Sequence, residues 1–424
     1  METKNIVMPM FPLNKEFPRE CIESSNGIYV KDINGKKYLD TISGLWNVSF
    51  GYNDENIKEA IVGQLNKIPY SNLYVAPAKI TYQYACKLLE KLNGDFQKLM
   101  YTCSGSESSE LAMKICRKYQ RLAGNRRYNI GAINYSYHGT SYGAMSLSGI
   151  DKKLVKDYYP LVDGIKWINI ETVQSESERC EIIEEFFEKY KNDLAGIILE
   201  LVIGSGGVIE IGHKVLKLIR QKCNQYDIVL IFDEVATGFG RTGKMFAYQH
   251  YSIVPDLMCI SKTMSNGMVP IGGVLLGNKV ANFYGNKGGF IEHFSTQNGN
   301  PLGCAASMSV LDYMTDELFE EIEKKGKYLE EGLNKCVKPN NSSMEIRRKG
   351  LMIALDIKTN SGETLSEEFL DSLLQKAYKK GIIIHPFYNP EKNSGVMLFP
   401  AFITEYYELD IIIEKVSKVL NKLV

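Results

Sequence analysis

The sequence predicts an α/β fold: a large domain with a mostly parallel sheet covered by helices, followed by a smaller α+β domain. Two observations carry the large domain. From about residue 76 onward, apolar strand-like runs alternate with helical patterns, which suits a parallel sheet buried between helix layers. Two of those runs, 228–232 and 256–261, end on the charges Asp233 and Lys262, where buried strands should give out. A third observation carries the smaller domain: past residue 336 the pattern changes to strand, helix, short strand and final helix. At 424 residues more than one domain is expected. The expected divisions are an N-terminal segment, 1–60, packing with the small domain; a large domain, 61–310; and a C-terminal small domain, 311–424.

Taken in order, 28–30 and 38–40 read as short strands around the turn Asn34-Gly35, and 57–67 as an amphipathic helix. Helices are expected at 81–92, 107–122, 180–191 and 214–226. Strands are expected at 99–103, 129–134, 196–202, 228–232 and 257–260. One long helix over 305–336 reads as a connector. After it come a strand at 351–357, a helix at 367–379, a short strand at 382–385 and a last helix from 405.

Fifty basic residues balance fifty acidic ones, so no charge excess points to nucleic acid or an anionic membrane. No apolar run approaches the roughly eighteen residues of a membrane span, and residues 1–26 have no apolar stretch of the signal-peptide kind. Nine scattered cysteines without a C-x-x-C pair, and five widely separated histidines, imply reduced thiols, no metal site and a cytoplasmic protein.

Lys262 is the residue on which the chemistry turns. A lysine delivered from an apolar strand into a closed site loses stability as an ammonium and becomes a nucleophilic amine. Asp233 at a neighbouring strand end can hold a positive charge elsewhere in that site. The segment 99–107 reads as strand, small-residue turn and helix; Gly105 and Ser106 at a helix start suit a phosphate cradle. Ser106 followed by Glu107 and Glu110 would equally cap an ordinary helix. In Tyr137-His138-Gly139 an aromatic could stack on a flat ring, or simply sit in a polar loop. Residues 233–243 hold two adjacent carboxylates and then three glycines in six residues, a loop packed closely against something. Asp233 could also be a helix cap.

Together these segments resemble the class III (ω-) aminotransferases, pyridoxal-phosphate enzymes of fold type I. The resemblance runs from about Lys31 to the C-terminus through Ser43-Gly44-Leu45-Trp46, Ser104 to Glu107, Tyr137-His138-Gly139, Glu200 with 204–207, 233–243, Ser261-Lys262, and Thr296 with 299–302. It implies that Lys262 forms the imine with pyridoxal 5'-phosphate and moves the substrate proton, while Asp233 pairs with the ring nitrogen. Val235 and Tyr137 would cover the two ring faces, with His138 beside them. Gly105 and Ser106 would bind the phosphate, and Glu200 would be a supporting carboxylate. Thr296 would reach the phosphate of a neighbouring subunit, which implies a homodimer with shared sites. Trp46 would line the substrate pocket. The implied reaction moves an amino group from an amine or amino acid donor to a keto or aldehyde acceptor, ping-pong, through pyridoxamine phosphate. The alternatives on the same fold are an aminomutase and a decarboxylating transaminase.

The chain departs from the family in places. Leu201 stands where many members have proline, Cys103 where they commonly have asparagine, and 263–266 where small glycine-rich sequence is common. More consequential is His385, which falls where relatives often carry an arginine that grips a substrate carboxylate. No arginine follows Arg348. His385 thus becomes a candidate substrate residue, and a substrate without an α-carboxylate is expected; a purely structural His385 is the alternative.

Overall fold

The computed structural model describes residues 5–14, 19–150, 152, 155–170, 173, 175–339 and 342–421. Its centre is a seven-stranded sheet in the spatial order Phe96–Thr102, Gly272–Gly277, Leu257–Ile260, Val229–Asp233, Leu194–Leu199, Asn129–Ile133, Ile165–Ile168. Only Gly272–Gly277 runs against its neighbours; the other strands are parallel. The apolar runs are unbroken because both faces of this sheet are covered. Leu199, Leu230, Phe232 and Ile260 pack into one cluster, while Ile198, Val229, Ile231 and Cys259 pack into another on the opposite face. Each such fully buried side chain contributes about 1.5–3 kcal/mol.

Register decides what the sheet presents. Phe232 lies opposite Leu199, and Asp233 opposite Cys259. Glu200, Asp233 and Lys262 therefore emerge together at the carboxyl ends of three adjacent parallel strands. Gly105 follows Thr102 at that same end, where the helix Gly105–Leu122 begins.

The strands Ile22–Asn26, Tyr29–Asp32 and Lys37–Asp40 form an antiparallel meander, joined in parallel by Ile382–Ile383. An antiparallel sheet of Ser342–Lys349, Met352–Thr359, Asn393–Leu398 and His385–Asn389 lies beyond. The strand expected over 382–385 is thus two, shared between two sheets. The long helix expected over 305–336 is also two, Pro301–Tyr313 and Asp316–Cys336. Met314 leaves helical geometry, and the Thr315 hydroxyl accepts the Leu318 N–H at 3.3 Å, with Asp316 and Glu317 in the new first turn.

Arg241 ties these parts together. It is fully buried, and its guanidinium donates to the carbonyl oxygens of Pro400 (2.7 Å) and Leu351 (3.4 Å) and to the hydroxyls of Ser49 (2.8 Å) and Ser43 (3.4 Å).

Candidate active site

The cleft at the carboxyl end of the sheet holds about 140 Å³ of open space between Trp46, Gly105, Ser106, Tyr137, Glu200, Asp233, Val235 and Lys262, among others. Asp233 is 5% exposed. One carboxylate oxygen lies 2.7 Å from His138 Nδ1, and the other accepts the Val235 N–H at 3.1 Å. The second contact closes a turn and is not a helix cap, since 235–240 are turns and not helix. His138 Nε2 is buried without a partner.

Lys262 follows the strand Leu257–Ile260 by two residues, at φ +47°, in a conformation a non-glycine residue rarely holds. That turn sends its side chain back to the strand ends, with Nζ 4.9 Å from the centre of the Trp46 ring. Burial holds the lysine pKa below its ordinary value, against the pull of Asp233 and Glu200. Glu200 has its own pKa pushed up to about 7, by burial first and Asp233 second, against His138 and two backbone N–H groups. An amine whose burial disfavours its charge thus faces two buried carboxyls.

The helix start beside them is an anion cradle. The Ser104 hydroxyl caps Glu107 N at 3.2 Å, which leaves the first-turn N–H groups of Gly105 and Ser106 without that partner. Space there is tight. A Cβ on Gly105 would come within 2.7 Å of Val235 Cγ1, and one on Gly139, at φ +120°, within 2.2 Å of Ser106 Oγ. Both glycines let backbone approach where a ligand's anionic group would sit.

Trp46 forms the far wall, and His385 packs against it with ring centres 5.8 Å apart without itself lining the open space. Trp46 is presented by a short segment in which Ser43, Gly44 and Trp46 all have positive φ. His385 Nδ1 lies 2.7 Å from the Pro386 carbonyl oxygen. Burial holds the His385 pKa down, with Arg19 and Lys262 adding to the effect. Thr296 is not in this cleft. It lies exposed, its carbonyl accepting from the Tyr70 hydroxyl at 2.8 Å.

No site role was expected for Ala236 and Ser261, which also line the cleft. Nor did it pair His138 with Asp233; no local signal marks a contact between residues so far apart in the chain.

A carboxylate for a ring nitrogen, an amine for an aldehyde and donors for a phosphate are what pyridoxal phosphate asks of a protein. The orphaned imidazole behind the carboxylate and the glycine-lined cradle fit that group, so fold and cleft define a pyridoxal-phosphate-dependent enzyme. The chain belongs to the class-III aminotransferase family, whose model matches residues 12–420. It is 34% identical over 400 residues to an acetylornithine aminotransferase of Caldanaerobacter subterraneus subsp. tengcongensis, covering 94% of this chain and 93% of that one. Among solved structures, an (S)-enantioselective ω-transaminase from Thermomicrobium roseum superposes with a TM-score of 0.91 at 29% identity, over 99% of this chain and 96% of its own. An amine transaminase from an uncultivated Pseudomonas species, solved with pyridoxal phosphate bound, gives a TM-score of 0.91 at 26% identity over 100% of both chains. The chain is an aminotransferase, and its cofactor is pyridoxal 5'-phosphate.

Proposed function

We propose that this aminotransferase is of the ω-type: at least one of its substrates carries no carboxylate on the reacting carbon. The observation that carries this reading is the charge of the cleft. Among the described lining residues Lys262 is the cation, Asp233 and Glu200 are acids, and no arginine is present. His385 does not substitute for one. With Nδ1 donating to the Pro386 carbonyl and burial opposing a second proton, it is neutral near pH 7 and its Nε2 carries a lone pair in place of an N–H. A carboxylate placed there would meet a lone pair instead of a bidentate donor.

When bound, pyridoxal phosphate supplies an electron-withdrawing ring. In this reading Lys262 holds the cofactor at rest and, once freed, carries the proton to and from the substrate carbon. Asp233, oriented by His138, keeps the ring nitrogen protonated. Val235 and Tyr137 cover the ring faces, Gly105 and Ser106 hold the phosphate, Glu200 supports them, and Trp46 and His385 shape the substrate pocket. Thr296 serves the phosphate of a second copy in a cytoplasmic homodimer. Support for that assembly comes from the exposed Tyr74 (84%) and Phe294 (58%), whose rings meet at 5.8 Å on the same surface region as Thr296.

The test is a panel of amino donors, alanine and glutamate against terminal amines, followed as single half-reactions in wild type and His385→Arg. Terminal amines are expected to react faster in the wild type. The arginine should raise kcat/KM for the α-carboxylate donors about tenfold or more, the worth of a charge-assisted hydrogen bond. Efficient use of alanine or glutamate that the substitution leaves unchanged would overturn the reading.

A further inference from the structure

Glu200 is the least economical group in the cleft. It is 4% exposed and forms no ion pair among the described residues, an arrangement that costs free energy unless something uses it. Its two oxygens reach opposite walls. One accepts the backbone N–H of Tyr137 at 2.9 Å, and the other that of Gly204 at 3.3 Å. Gly204 lies against Trp46: a Cβ there would come within 3.2 Å of the indole ring. A single carboxylate thus spans from the Tyr137 side of the cleft to the Trp46 side. The charged and titratable groups that face it are His138, Asp233 and Lys262.

We propose that Glu200 is a two-state positioning residue. Ionised, it accepts from the Tyr137 and Gly204 amides at once and favours a proton on the Lys262 nitrogen; protonated, it slackens that clamp and no longer favours that proton. The proposal rests on the aminotransferase reading of this cleft. The proton balance is simple: as pH falls the carboxylate takes one proton from solvent, and the Lys262 nitrogen then holds its own proton less tightly because a neighbouring negative charge is gone. The charge effect follows from the fields already described. Asp233 and Glu200 favour the charged form of Lys262 while burial opposes it, so removing the Glu200 charge shifts the balance toward the free amine. Glu200 itself titrates at about 7, within the working range of pH.

The test compares Glu200→Gln, which removes the charge and keeps one acceptor, with Glu200→Asp, which keeps the charge and shortens the reach. In the cofactor-loaded protein, the midpoint of the cofactor's visible absorbance against pH should fall by about one unit in Glu200→Gln. In Glu200→Asp it should stay near the wild-type value while cofactor affinity drops. The cofactor-free protein gives a second readout. A folded pKa near 7 against an ordinary 4.5 means that Glu200 contributes stability below about pH 4.5 and loses it as pH rises through 7. The melting temperature of Glu200→Gln minus that of wild type should therefore increase between about pH 5 and pH 7.5. Taking the difference cancels Glu234, which also titrates at about 7. An unshifted absorbance midpoint in Glu200→Gln, or equal shifts in both variants, overturns the proposal. A wild-type protein that stays colourless with the cofactor overturns instead the reading of the cleft on which it rests.

Discussion

Two neighbouring carboxylates, Asp233 and Glu234, show how one strand end divides its work. Asp233 faces the cleft and the His138 ring, while Glu234 turns away and accepts from the Thr237 hydroxyl (2.6 Å), Ala247 N (2.8 Å) and Tyr248 N (2.7 Å). Glu234 therefore fixes the loop that follows, and the site inherits a rigid base. Lys262 stands in the opposite position, without an ion-pair partner among the described residues and in a strained backbone conformation. Freedom from a partner is what a group that must bond a ligand and then let go requires. Lys262→Ala should keep the fold, since the side chain removed lines the open cleft and is not part of a packed core. It should also lose at least 10²–10⁴ of the turnover, the typical share of a positioned acid–base group. Borohydride treatment of the loaded protein checks this independently: it should fix the cofactor covalently to the wild type and leave it removable from the variant. Covalent fixation in the variant would assign the covalent role elsewhere.

At the scale of elements, the cradle depends on two segments meeting at glycine. The loop after Asn129–Ile133 passes so close to the first turn of Gly105–Leu122 that Gly139 has room for no side chain, and its φ of +120° is glycine's own. Gly139→Ala should push that loop off Ser106 and break the 3.3 Å contact from Thr140 N to the Ser106 hydroxyl. The expected cost is about 1–3 kcal/mol of stability, from backbone strain, together with a weaker hold on the cofactor. Cofactor titration of the cofactor-free protein, alongside its melting curve, separates the two effects; unchanged cofactor affinity would remove this loop from the cradle. Much of this architecture was legible in the chain. The run 228–232 lies within the strand Val229–Asp233 but for its first residue, 257–260 coincides with a strand, and 367–379 coincides with a helix. Such runs are read because both sheet faces, or one helix face, demand apolar residues. Two of the strands missed lack that signal for physical reasons. Ser342–Lys349 is a half-exposed edge strand rich in charge. Gly272–Gly277 sits mid-sheet, but its glycines are required where a Cβ would strike Thr102 Oγ1 or Leu99 Cδ1 at 2.7 Å. In the cleft, strand-end residues were legible because apolar runs point at them, whereas the His138–Asp233 contact exists only once the strands are paired.

The whole molecule is held in register across its sheets by one buried cation. Arg241 lies in the glycine-rich loop of the large sheet, yet its hydrogen bonds go to Ser43 and Ser49 near the N-terminal meander and to Leu351 and Pro400 beside the C-terminal sheet. It forms no ion pair among the described residues; the Phe402 ring, 4.7 Å from the guanidinium carbon, and the field of Asp40 are what offset its burial. A planar fork with several donors can serve acceptors in different directions at once, whereas an ammonium cannot, so lysine should not replace it. The segments it ties also carry the far wall of the cleft: Ser43 precedes Trp46, and Pro400 follows Phe399, whose ring meets Trp46 at 4.6 Å. Stability and substrate fit are therefore coupled through this side chain. Arg241→Met leaves four oxygen acceptors with a lost donor and should cost about 3 kcal/mol, with Arg241→Lys recovering only part of it. Urea unfolding followed by far-ultraviolet circular dichroism measures the cost. Because the lost contacts are those between sheets, the transition of the methionine variant should broaden or split, each part melting on its own, and KM for amine substrates should rise more than kcat falls. A variant that unfolds at the wild-type midpoint in a single sharp step would show that the three segments hold their places through apolar packing alone.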